Sequence, residues 1–146
     1  MTFSNLRSPY EKVTNVCYFP RMLDKIRLHL HGELPADYQP NLGGGFDARC
    51  VSFLGVAYEA LVERVRAGGS DEEILEWCFT HGRRPSTEEI EIWNEYMRKR
   101  GLRDSGTAML RKRLLDGGFD NRPELETFFD FIDADEGRPL RPWSAD

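Results

Sequence analysis

Arg83-Arg84-Pro85-Ser86 is the segment whose residue types and spacing best suit binding chemistry. It falls between two helix-like stretches, where guanidinium forks beside the free amides of a helix start could grip a phosphate or carboxylate. Arg49 is a third cation for such a site, and Trp77 and Trp93 are candidates for its aromatic walls. The plainer reading pairs Arg83 and Arg84 with Glu88, Glu89 or a more distant acidic segment and keeps both tryptophans in the core.

Acid and base work needs an imidazole or carboxylate within hydrogen-bond reach of a substrate. His29, His81, Asp24 and Asp47 are the candidates, but no P-loop, dinucleotide fingerprint, nucleophile elbow or HExxH pattern accompanies them. No cofactor is therefore assigned. Gly43-Gly44-Gly45-Phe46 lacks the lysine and strand-to-helix context of a phosphate loop and reads as a tight chain reversal. Cys78 and His81 stand three apart and share one helical face, which is half of a zinc site. His29 and His31 stand two apart and point away from each other on a helix, so they cannot chelate one ion. Cys78 also falls in an apolar stripe, where a thiol behaves as a small hydrophobe, and no metal is assigned. Asp130, Asp133, Asp135 and Glu136 lack the glycine and terminal glutamate of a calcium loop.

Helices must position these groups. Pro20 suits a first helical turn, and Phe19, Met22, Leu23, Ile26 and Leu30 share one face, predicting a helix over 20–32 with Arg21, Lys25 and Arg27 toward solvent or a partner. Residues 33–46, with Pro35, Pro40 and three glycines, read as a loop. A helix is favoured over 47–67, although residues 50–56 also fit a short strand. Ser70 and Glu73, then Ser86 and Glu89, have capping-box spacing, in which hydroxyl and carboxylate reciprocally satisfy free amides. Those helices stop at Gly82 and Gly101. A further helix is expected over 107–115, and a third box at Asn121 and Glu124 opens one carrying Leu125, Phe128, Phe129 and Ile132. The sum is an all-α, single compact domain of about five to seven helices over residues 1–138, with a tail at 139–146.

Twenty-five acidic against 20 basic side chains leave a net charge of −5, which argues against nucleic acid as a partner because neutralising phosphates needs a basic face. The hydrophobic fraction of 40% beside a mean hydropathy of −0.57 fits a charged shell around a real core rather than a disordered chain. No apolar run reaches the roughly 18 residues of a membrane span, and residues 1–15 hold no signal-peptide core. Three widely spaced cysteines without a CxxC pair fit reduced thiols. A cytoplasmic protein with no membrane partner is expected. Residues 98–113 carry seven bases against one acid and residues 116–136 eight acids against one base. Such blocks would dock on each other within a chain or between the chains of a homo-oligomer.

The strings YFPRMLDKIRLH (18–29), GGFDARC (44–50), EWCFTHGRRPS (76–86), IWNEYMRKRG (92–101) and FFDFIDADEGR (128–138) resemble the small bacterial proteins of domain-of-unknown-function family 5069. The resemblance spans about residues 8–138. It implies a stand-alone soluble bacterial domain and transfers no activity, cofactor or functional residue.

The favoured function is a helical binding or interaction module for an anionic small molecule or a protein partner. The alternative is an enzyme of a small phosphorylated or carboxylated metabolite, with His29, His81, Asp24 and Asp47 as acid and base. A concave pocket that gathers a histidine or carboxylate with two arginines would favour the enzyme, and a flat patch the module.

Overall fold

The computed structural model describes residues 5–143. Among these, the helices are α1 (Phe19–Leu30), α2 (Phe46–Leu54), α3 (Tyr58–Arg66), α4 (Asp71–His81), α5 (Thr87–Lys99), α6 (Thr107–Asp116) and α7 (Phe128–Asp135), with a short 3-10 helix at Ala36–Asn41. The chain is mostly helical, as its periodicity requires. The tail expected over 139–146 is described as far as Trp143.

A small hairpin that apolar periodicity does not announce precedes α1. Strand β1 (Lys12–Val13) pairs antiparallel with β2 (Val16–Cys17), Val13 opposite Val16. Thr14 and Asn15 join them with φ of 44° and 69°, the paired positive values of a two-residue turn matched to strand twist. Asn94 of α5 clamps it: its Oδ1 accepts from Cys17 N at 3.0 Å and its Nδ2 donates to Asn15 O at 2.7 Å.

The core joins Phe19, Met22, Leu23 and Ile26 of α1 to Leu54, Leu61, Ile74, Leu75, Trp93, Met97 and Phe129. Capping boxes open α4 at Ser70 and α5 at Ser86, each with both reciprocal bonds. The stretch 47–67 is two helices. Gly55 stands left-handed at φ 73°, and Gly55 N to Ser52 O with Val56 N to Val51 O forms the pair of bonds that closes a helix at such a residue. The strand alternative for 50–56 is excluded by α2.

Two expectations are corrected. Arg21 and Lys25 are not on the solvent face of α1; they are 4% and 5% exposed because carboxylates from α7 and α2 receive them. Of the three, Arg27 alone stays partly exposed, paired to Asp71. The box at Asn121 does not form, because Glu124 is taken by Arg122 and Phe128 N donates to Arg100 O, outside its own helix. The helix starts instead at Thr127, whose Oγ1 accepts from Asp130 N while Asp130 Oδ2 accepts from Glu126 N. Of the two charge blocks, Lys112 of the basic one meets Asp116 of the acidic one across a single helical turn, while Arg100 pairs with Asp104 inside its own block and Asp133 and Glu136 take Arg138 and Arg21.

Candidate functional site

A cleft of about 670 Å3 opens between α1, the start of α2, α6 and α7, within the size range of small-molecule sites. Tyr18, Arg21 and Lys25 line one side. Their spacing of three and four puts them on one helical face, and Tyr18 caps α1 with φ 71°, a backbone state uncommon for a bulky residue and held here by contacts on every side.

Two buried polar clusters result. Tyr18 donates its phenol proton to Asp47 Oδ1 at 2.5 Å, and Lys25 Nζ lies 2.9 Å from the same oxygen and 3.3 Å from the Tyr18 hydroxyl. Asp47 Oδ2 accepts from Gly43 N at 3.1 Å, so the glycine run wraps the carboxylate. Burial pushes the Lys25 ammonium below the usual lysine range despite the pull of Asp47, and burial beside Asp47 raises the Tyr18 phenol well above its ordinary value. In the second cluster Glu136 takes both Arg21 nitrogens, Tyr38 Oη at 2.9 Å and Arg138 Nη1 at 2.5 Å. Burial there works against the carboxylate, yet Arg21, Arg138 and Tyr38 hold it below the usual range.

The cleft is also lined by Arg49, Arg100 and Arg113 and by Phe46, Met109, Phe128 and Ile132. Arg100 is held by Asp104 and Ser105. Arg49 lies over the Tyr96 ring at 5.7 Å and Arg113 over Phe128 at 6.0 Å, and among the described residues neither has a carboxylate partner. Five cations face Asp37, Asp135 and Glu136, with Asp47 behind as a fourth acid. With Asp104 on Arg100, the cluster balances in formal charge, and Arg49 and Arg113 stand apart from its ion pairs among the described residues.

Of the residues singled out by sequence, Arg49 and Asp47 meet at this cleft. The others do not. Arg83 pairs with Glu89 and Arg84 with Glu76, both on the surface. Trp77 stacks on His81, whose Nδ1 meets Trp77 O, while Trp93 is buried against Phe53 and donates to Cys17 O. His29 is exposed, and Asp24 is engaged by Arg7. Cys17, Cys50 and Cys78 are buried and unbridged. Among the described residues no group of His, Cys, Asp or Glu is placed to hold a metal, and no helix is long and apolar enough to cross a membrane. Sequence reasoning missed Tyr18, Arg21, Lys25, Arg113 and Glu136. The signal for the first three is their common helical spacing, which a count of apolar positions alone passes over.

A family model described as a domain of unknown function matches residues 4–138. No curated protein matches the chain.

Proposed function

The chain belongs to the DUF5069 family, a description that carries no activity, and we propose that it binds a small anionic molecule in the cleft between α1, α2, α6 and α7. The observation that carries this reading is the pair Arg49 and Arg113, two cleft-lining arginines without carboxylate partners among the described residues, the first resting its guanidinium on Tyr96 at the cleft's edge and the second on Phe128 within it. Arginines left over aromatic faces keep their donor forks for a bidentate acid or phosphate. The start of α2, through Gly44, Gly45 and Phe46, adds the positive end of a helix. Met109, Phe128 and Ile132 suit an apolar body on the ligand.

The cleft also brings carboxylates and arginines together on a concave surface, the arrangement that favours an enzyme over a flat interaction module. A thermal-shift screen against sugar phosphates, nucleotides and carboxylic acids tests the binding. At about 100 times its dissociation constant a ligand adds roughly 2.7 kcal/mol, several degrees in Tm. The shift is expected to vanish in Arg49→Ala with Arg113→Ala and to persist in Arg84→Ala, whose arginine is paired outside the cleft. A shift lost in Arg84→Ala and kept in the double variant would overturn the assignment, as would silence across the panel.

A further inference from the structure

We propose that the ligand of this cleft carries a carbonyl beside its anionic group, and that Lys25 captures that carbonyl as an imine. The inference rests on the anion-binding reading and adds to it the chemistry of the cleft's inner end.

The sequence has four lysines, Lys12, Lys25, Lys99 and Lys112. Lys12, Lys99 and Lys112 are exposed, whereas Lys25 is 5% exposed and still lines the cleft. Burial strips Lys25 of hydration and makes it easier to deprotonate, against the pull of Asp47 at 2.9 Å. Arg21, one turn earlier on the same face, adds a like charge that works in the same direction as burial. Its neighbours complete the set that imine formation needs. Tyr18 is a proton donor 3.3 Å from Nζ, and Asp47 is a proton acceptor 2.9 Å from Nζ and 2.5 Å from the phenol. Arg49 and Arg113 hold the acid or phosphate, so the carbonyl is presented to the amine rather than left to chance encounter.

The step balances without an oxidant or reductant. The Lys25 ammonium first gives one proton to water in the cleft; the lone pair so freed attacks the carbonyl carbon, a C–N bond forms, and the π pair moves to oxygen. That oxygen takes the Tyr18 proton while Asp47 takes a proton from nitrogen and returns it to Tyr18, which gives the carbinolamine. The hydroxyl then leaves as water with a second proton from Tyr18. The remaining nitrogen proton restores Tyr18 through Asp47, and a C=N bond stands on Lys25. The ligand class is an aldehyde phosphate or a 2-oxo acid.

The test is reductive trapping on the full chain. The protein is incubated with glyoxylate, pyruvate or glyceraldehyde 3-phosphate, reduced with cyanoborohydride and mapped by peptide mass. The expected result is an adduct on Lys25 in at least about tenfold preference to each exposed lysine, absent in Lys25→Arg and at least about tenfold slower in Tyr18→Phe. Label spread evenly over the lysines, or confined to Lys12, Lys99 and Lys112, would overturn the proposal, and this reading uses the wild-type chain alone. The two readings fail separately. A thermal shift that depends on Arg49 and Arg113 without any Lys25 adduct removes the imine and leaves the anion site. A selective Lys25 adduct indifferent to Arg49→Ala with Arg113→Ala supports capture and removes the anion site.

Discussion

Arg21 and Glu136 close a two-pronged ion pair, Nη1 to Oε1 at 2.9 Å and Nη2 to Oε2 at 2.7 Å, with side chains 5% and 2% exposed. It ties the first helix to the end of the last one across 115 residues of sequence. Removing one partner leaves the other charged and buried, which costs about 3–5 kcal/mol. Glu136→Gln is expected to lose that much in chemical denaturation. The pair also sets an acid limit. The Glu136 carboxyl is held below its ordinary value of 4.5, so its contribution is complete above pH 4.5 and is lost as pH falls through the folded value. Asp133, raised by burial, contributes with the opposite sign and offsets part of the slope. Stability measured across that acid range should therefore fall more steeply in the wild type than in Glu136→Gln; equal slopes would count against the assignment.

The two capping boxes offer a cleaner comparison. Ser70→Ala and Ser86→Ala each remove a hydroxyl that accepts from the third residue of its helix, and each is expected to cost about 1 kcal/mol. The sites share no partner, so the double variant should lose the sum to within about 0.5 kcal/mol. Asn121→Ala removes no such cap and should stay within about 0.5 kcal/mol of the wild type. Urea midpoints of the four variants decide it, and a costly Asn121→Ala would mean that the turn before α7 has been misread.

That contrast shows where the sequence is legible. The boxes at Ser70 and Ser86 are local, four residues deciding their own geometry, and they appear as their spacing says. Asn121 has the same look, but Phe128 N turns to Arg100 O, a partner no window around 121 contains. Thr127 and Asp130 carry the usable signal, six residues later. The cleft was hidden for the same reason. A cation on an otherwise apolar helix face reads as solvated until Asp47 and Glu136 arrive from elsewhere in the chain, whereas the pairing of Arg83 with Glu89 is open to the sequence because the two stand six residues apart, and Arg84 takes Glu76 from the helix before it.

Two side chains of α5 hold the hairpin: Trp93 donates to Cys17 O, and Asn94 takes Cys17 N and Asn15 O. With Asn94→Ala, Cys17 N and Asn15 O both lose their partner, and at about 0.5–1.5 kcal/mol per bond the loss should come to about 1–3 kcal/mol. Amide exchange gives a local readout: Cys17 N–H should lose protection while amides inside α4 keep theirs. Unchanged protection at Cys17 would show that pairing with β1 and the Trp93 bond to Cys17 O hold the hairpin without Asn94.

Gly82 and Gly68 are glycines for different reasons. At Gly82 φ is −109° and ψ −107°, a ψ outside the ranges that residues with a Cβ favour, and a Cβ there would also collide with Leu54 O and sit 2.9 Å from Cys78 O and Gly55 C. These are main-chain atoms that cannot swing aside, and the approach they guard lets Arg83 N donate to Leu54 O at 2.9 Å. Gly82→Ala must therefore push the ends of α2 and α4 apart, at a cost of about 3 kcal/mol or more. Gly68 is the other case, with φ +89° and nothing within 4 Å of an added Cβ. Gly68→Ala meets only the left-handed penalty of about 1–2 kcal/mol. Denaturation of both variants should rank Gly82→Ala well below Gly68→Ala. The opposite order would mean that the ends of α2 and α4 part easily and that their contact does not hold the fold.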